Sequence, residues 1–139
     1  MSARTKARKR ALDALYAADL TKTDALKNLQ QTLEEVSGRQ NQDEIFDYAE
    51  TLVCGFLENR EAINAQLTNL SDGWALERMP VIDRNILRIG AWEILHNDEV
   101  PNEVAISEAV SLASEYSTED SAKFVNGVLA RLAKSSQAL

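Results

Sequence analysis

In 139 residues the chain has one cysteine, one histidine, two prolines and five glycines, and each scarcity closes off a class of protein. A lone Cys54 allows neither an internal disulfide nor a cysteine-based zinc site, which makes a reducing cytoplasm the natural compartment. His96 ends a Glu93-Ile-Leu-His96 motif, the i,i+3 pair of di-iron bundles, but those sites need two such motifs and further carboxylates. Pairing His96 with Cys54 would give the one conceivable nucleophilic dyad, and Cys54 reads more simply as a small core residue on an apolar stripe. Gly38, Gly55, Gly73, Gly90 and Gly127 lie too far apart for a phosphate-cradling loop. The residues therefore supply no metal site, no cofactor site and no catalytic set, and the chain reads as a non-enzyme. No apolar run approaches the ~18 residues that span a bilayer. Asp13 and Asp19 interrupt what would be the apolar core of a secretory signal, and with Asp24 they exclude an acid-free transit peptide.

What is present is mostly helix and mostly acidic. The formal net charge is −7, yet the first ten residues carry Arg4, Lys6, Arg8, Lys9 and Arg10 and no acid. Surplus negative charge argues against indiscriminate nucleic-acid binding, so any phosphate contact must be local. Within a helix, Arg4/Arg8 and Lys6/Arg10 are like charges at i,i+4, each costing a few tenths of a kcal/mol. Cations in first turns also oppose the helix dipole. Such an arm weakens the helix it opens unless an anion sits on it, and clustered Lys/Arg is the footprint of phosphate-backbone binding.

No stretch keeps a period of two; the apolar pattern is helical throughout. Leu12, Leu15, Tyr16, Ala18 and Leu20 stripe a first helix, and Asp24 caps a second bearing Leu26, Leu29, Leu33 and Val36. A polar loop with Gly38 follows. Asp43 opens the longest element, carried by Ile45, Ala49, Leu52, Val53, Phe56, Ile63, Leu67 and Leu70, with a bend expected near Asn59. Trp74, Leu76 and Met79 suggest a short turn laid over the core. Pro80 suits a helix start, and the helix from Val81 to about Asn97 is apolar nearly all round, so it should be central. Gly90 in its middle costs about 1 kcal/mol in propensity, which implies a close approach of another helix. Ile106, Ala109, Val110, Ala113 and Tyr116 line the next helix; Thr118 caps the last, with Phe124, Val125, Val128, Leu129 and Leu132 on one side. The fold class is all-α, a single-domain bundle of six to seven helices over residues 1–139 with a basic N-terminal arm at 1–10.

The block Ser121-Ala-Lys-Phe-Val-Asn-Gly-Val-Leu129 is unusual because Asn126-Gly127, normally a hairpin signal, sits inside a helical stripe. Lys123 and Asn126 share a face at i,i+3. With an exposed Phe124 they would offer a cation, an amide and a ring, the groups that hold unstacked bases; with Phe124 turned inward the ring is simply core.

Ala7-Arg-Lys-Arg-Ala-Leu-Asp-Ala-Leu-Tyr16 resembles the opening motif of the NusB antitermination factors. Arg84-Asn-Ile-Leu-Arg-Ile-Gly-Ala-Trp-Glu-Ile-Leu95, Val100-Pro101, Val104-Ala-Ile-Ser-Glu-Ala109 and Asp120-Ser-Ala-Lys-Phe-Val-Asn-Gly-Val-Leu129 are similar to the later blocks of that family, in order. The resemblance implies an all-helical protein that pairs with the ribosomal protein NusE, binds single-stranded boxA RNA of nascent ribosomal RNA leaders and helps RNA polymerase resist termination. It further implies RNA contacts at Arg4, Lys6, Arg8 and Lys9 in the arm, Arg88 on the central helix, and Asp120, Lys123, Phe124 and Asn126 on the last, with Tyr16 and Asp83 toward NusE. For this site to be continuous, the first and last helices must be neighbours. Two other readings fit the residues: a helical adaptor acting through protein contacts or homodimerisation, and the RNA-binding domain of an RNA cytosine methyltransferase, for which a chain ending at Leu139 leaves no room for an S-adenosylmethionine fold.

Overall fold

The computed structural model describes residues 2–137. It contains seven helices and one 3-10 turn among the described residues: α1 (Ala3–Thr21), α2 (Ala25–Val36), α3 (Gln42–Glu58), α4 (Arg60–Leu70), the 3-10 turn (Leu76–Arg78), α5 (Val81–His96), α6 (Asn102–Tyr116) and α7 (Glu119–Gln137). The expected caps are in place. The Asp24 carboxylate accepts from the Leu26 and Lys27 amides, and the Thr118 hydroxyl accepts from the Ser121 amide. Ser2 caps α1 by accepting from the Thr5 amide. The basic arm is thus not a loose extension but the first turns of α1. The long element breaks at Asn59, whose side chain donates to the Gly55 carbonyl and separates α3 from α4. Pro80 stands one residue outside α5 rather than at its first position.

The apolar α5 lies at the centre of the bundle and packs against α1, α3, α4, α6 and α7. Two of its contacts need glycine. A Cβ on Gly90 would come within 2.6 Å of the Leu129 side chain of α7, so this glycine admits the last helix. A Cβ on Gly55 would fall 2.3 Å from the Trp92 indole, which seats α5 in a notch on α3. Gly127 differs: only the tip of the Arg131 side chain would lie near its Cβ, so no close packing explains it.

The first and last helices, which a continuous site requires to be neighbours, do not pack extensively on each other. α1 packs on α2, α3 and α5, whereas α7 packs on α6, α5 and α4. α6 lies between them and reaches α1 through side chains, with Thr5 donating to Glu108 at 2.7 Å and the Lys9 ammonium 4.5 Å from the centre of the Tyr116 ring. Sequence periodicity cannot say which helices are spatial neighbours, and here the helix preceding the last one took the place.

Gly55→Ala is expected to lower stability by about 1–3 kcal/mol, because the rigid Trp92 ring cannot yield as a flexible side chain can. The ~1 kcal/mol gained in helix propensity should not offset this. Urea midpoints of the variant against wild type test it, and a variant as stable as wild type would mean that the notch is not close-packed.

Candidate nucleic-acid interface

The arm was expected to need an external anion, yet much of its charge is met from within the protein. Arg8 is the clearest case. Its guanidinium is 3% exposed and grips Glu93 of α5 in a two-pronged pair at 2.9 and 2.8 Å, with Glu108 of α6 at 3.4 Å. The Tyr48 hydroxyl of α3 donates to the same Glu93 and accepts from Asn97. Burial works against the Arg8 charge, but the hydrogen bonds and the charge of Glu93 outweigh it and raise its pKa. Burial and the adjoining Glu93 likewise raise the Tyr48 pKa. Arg8 therefore does not face phosphate, contrary to the expectation. It falls on the same stripe as Ala11, Leu12 and Leu15 and is drawn inside with them.

The other arm cations are nearer the surface. Arg4 pairs with Glu99 at 2.8 Å, and Lys9 pairs with Asp13 on the same helix. Arg10 stacks over Phe46 at 5.5 Å. Lys6 is exposed and enters no ion pair among the described residues.

Two further expectations are corrected. Arg88 is buried, donating to Asp19 at 3.0 Å, Asn64 at 3.1 Å and Asn85 at 3.0 Å, at the floor of a groove of about 500 Å³ between α4 and α5. Burial, with Arg84 and Arg60 nearby, outweighs Asp19 and lowers its pKa. It locks α1 and α4 onto α5 instead of offering a free cation. Asp83, expected to meet a protein partner, is 1% exposed, and its two oxygens accept from the hydroxyls of Ser117 and Ser121 at 2.7 Å each. An acid in the first turn of α5 thereby fixes the turn that joins α6 to α7. Tyr16 remains half-exposed on α1.

The last helix places its candidates outward. Asp120, Lys123 and Asn126 are all exposed. Phe124 is half-buried: its ring packs on the core and meets the exposed Trp74 edge-on, the two ring centres 5.0 Å apart. Both readings of Phe124 are partly right, since one side of the ring is seated and the rest is open. Sequence reasoning missed two exposed aromatics, one beside this surface and one beside the arm. Trp74 had been expected to cover the core and is 38% exposed; Tyr116, expected in the α6 stripe, is 40% exposed beside the arm. The position of Tyr116 at the very end of its stripe was the available signal.

His96 is exposed and stands by Trp92, and no cluster of metal-ligating side chains occurs among the described residues. Among the described residues no helix is long and apolar enough to cross a membrane.

A model described as the NusB family matches residues 5–134. The transcription antitermination protein NusB of a Nocardioides species is 47% identical over 139 residues, covering all of this chain and 99% of the relative. That of Leifsonia xyli is 49% identical over 134 residues, covering 96% of this chain and 93% of the relative. Among solved structures, T. maritima NusB superposes with a TM-score of 0.85 at 33% identity, covering 94% of this chain and 90% of the other. A crystal structure of antitermination factors NusB and NusE in complex with dsRNA gives 0.85 at 28% identity, covering 97% and 98%.

Arg8→Met should destabilise by about 3–5 kcal/mol, because it strands a buried carboxylate. Adding Glu93→Gln should recover most of that loss in urea denaturation; a single variant costing under about 1 kcal/mol would remove the pair from its structural role. Asp19 gives a pH test. Burial pushes its carboxyl up, but hydrogen bonds from Asn85 and Arg84 and the charges of Arg88 and Arg84 hold it below the usual carboxylate range. Its stabilising contribution is complete above the unfolded-state value of about 4 and drains as pH falls through the folded value. Wild type should thus lose stability more steeply in that acid range than Asp19→Asn, and parallel acid limbs would contradict it.

Proposed function

The chain belongs to the NusB family, and from that membership we propose that it is a transcription antitermination factor of the cytoplasm. In this reading it binds boxA-type single-stranded RNA of nascent ribosomal RNA leaders together with NusE, and so helps RNA polymerase pass terminators. The observation that carries the reading is the outer face of α7, where Asp120, Lys123 and Asn126 stand exposed around the half-open ring of Phe124. A cation, hydrogen-bonding side chains and a supported ring are the groups that hold and discriminate unstacked bases. The relatives named above as antitermination proteins, and the neighbour solved with NusE and dsRNA, support the same assignment.

Lys6, Arg4 and Lys9 supply phosphate attraction from the arm, with Lys123 on α7, and Arg8 and Arg88 hold the scaffold that spaces them. Phosphate contacts of this kind are sequence-independent and salt-sensitive; selectivity comes from groups that meet base edges and faces. Phe124, Asp120 and Asn126 take that second part. Tyr16, half-exposed on α1, is the residue left to meet NusE, since Asp83 is enclosed.

Fluorescence anisotropy with a boxA-containing RNA and a scrambled control, at several salt concentrations and with or without NusE, tests the proposal. Lys6→Ala should weaken both RNAs alike and reduce the salt slope by about 1. Phe124→Ala should cost about 1–3 kcal/mol of binding, mostly at the expense of boxA preference, with thermal melting run alongside to separate binding from folding. Equal, weak binding of both RNAs by wild type in the presence of NusE would sink the reading.

A further inference from the structure

Between the arm, the start of α3 and the end of α6 lies a groove of about 260 Å³ whose walls include Lys6, Lys9, Arg10, Gln42, Leu112 and Tyr116. Three observations set it apart from ordinary surface. Three cations border it, against the single acid Glu115 on the wall, although Lys9 also pairs with Asp13. Tyr116 borders it with 40% of the residue exposed, under the Lys9 ammonium at 4.5 Å from the ring centre. Gln42 brings its side-chain oxygen, an enclosed acceptor with no partner among the described residues. An unmet buried acceptor is a cost that proteins seldom leave standing unless something else satisfies it.

The groove is also walled by the arm half of the proposed site, and the chain runs from it toward the other half. Tyr116 ends α6, and the Ser117–Thr118 turn, pinned by Asp83, leads directly into the α7 face that bears Asp120 and Phe124. We propose that this groove seats one unpaired nucleotide of the single-stranded RNA, resting on the RNA-binding reading above. The base lies against Tyr116 and Leu112, a flanking phosphate meets Lys6 and Arg10, and the Gln42 side chain turns its unpartnered oxygen into the groove to accept from an amino group on the base edge. The volume lies below the roughly 300–1,000 Å³ of drug-sized sites, so it accommodates a single base and not a stacked pair. An acidic peptide would satisfy the cations through its carboxylates, but those groups neither stack on the Tyr116 ring nor donate to the Gln42 oxygen. A base with an exocyclic amine answers all three features; uridine, whose one donor is the ring N3–H set back between two carbonyls, is disfavoured at this position.

The test uses the full chain and short fluorescein-labelled single-stranded RNA followed by anisotropy. Tyr116→Leu, which keeps an apolar filler but removes the ring, should bind about tenfold more weakly. Tyr116→Phe should bind as wild type does, and both should melt as wild type does. In a set of RNAs changed to uridine one position at a time, wild type should lose affinity at one adenine, cytosine or guanine. Gln42→Leu should abolish that loss and leave the other positions alone. If wild type binds RNA and Phe124→Ala weakens it while Tyr116→Leu binds normally, the groove assignment is wrong and the RNA-binding reading stands. Wild type that binds no single-stranded RNA even with NusE present removes both. Binding of a poly-glutamate peptide that falls with Tyr116→Leu, with RNA affinity unchanged, would overturn the nucleotide assignment in favour of an acidic protein segment.

Discussion

The buried pair of Arg8 and Glu93 is the constraint around which this bundle is arranged. One guanidinium and one carboxylate tie α1 to α5, the Tyr48 hydroxyl adds α3, and Glu108 adds α6. Two charges removed from water are costly unless nearly every lone pair and proton is used, and here most of the polar atoms that surround the pair are engaged. Helices rich in alanine, as α1 is, have few large side chains to fix their rotation. The charge pair supplies that rotation. It decides that Arg8 turns inward and that Lys6, two residues earlier, turns out.

A second polar lock acts at the other end of α1. Asp19 receives Arg84, Asn85 and Arg88, and Arg88 in turn reaches Asn64 of α4. A third, Asp83 with Ser117 and Ser121, fixes the turn before α7. The apolar core gives these helices their affinity for one another, while these three polar clusters give them register. The surface proposed to meet RNA follows from that register: the cations that remain outside are those the locks did not take.

Much of this was legible beforehand and some was not, for a physical reason. Helix period, the Asp24 and Thr118 caps, the break at Asn59 and the close approach at Gly90 are local properties, readable from neighbours in sequence. The roles of Arg8, Arg88 and Asp83 depend on partners 85, 69 and 34 residues away in the chain. Each nevertheless left a trace, because a charged residue at a position shared with the apolar stripe must find an opposite charge or a set of hydrogen bonds. Read that way, their spacing already pointed inward. The exposure of Trp74 and Tyr116 left less of a trace, since an aromatic near the end of an element fits a core and a surface equally well.

The two tryptophans end in opposite surroundings, and that gives the molecule a natural optical division. Trp92 fills the notch at Gly55 and is 9% exposed, while Trp74 is 38% exposed against the edge of Phe124. Emission from the enclosed indole will sit to the blue and shift only when α3 and α5 separate. Emission from the wet one will sit to the red and respond to whatever settles on the neighbouring ring. A single unlabelled sample therefore carries separate signals for integrity and for occupancy, written into it by where the chain chose to bury one indole and leave the other out.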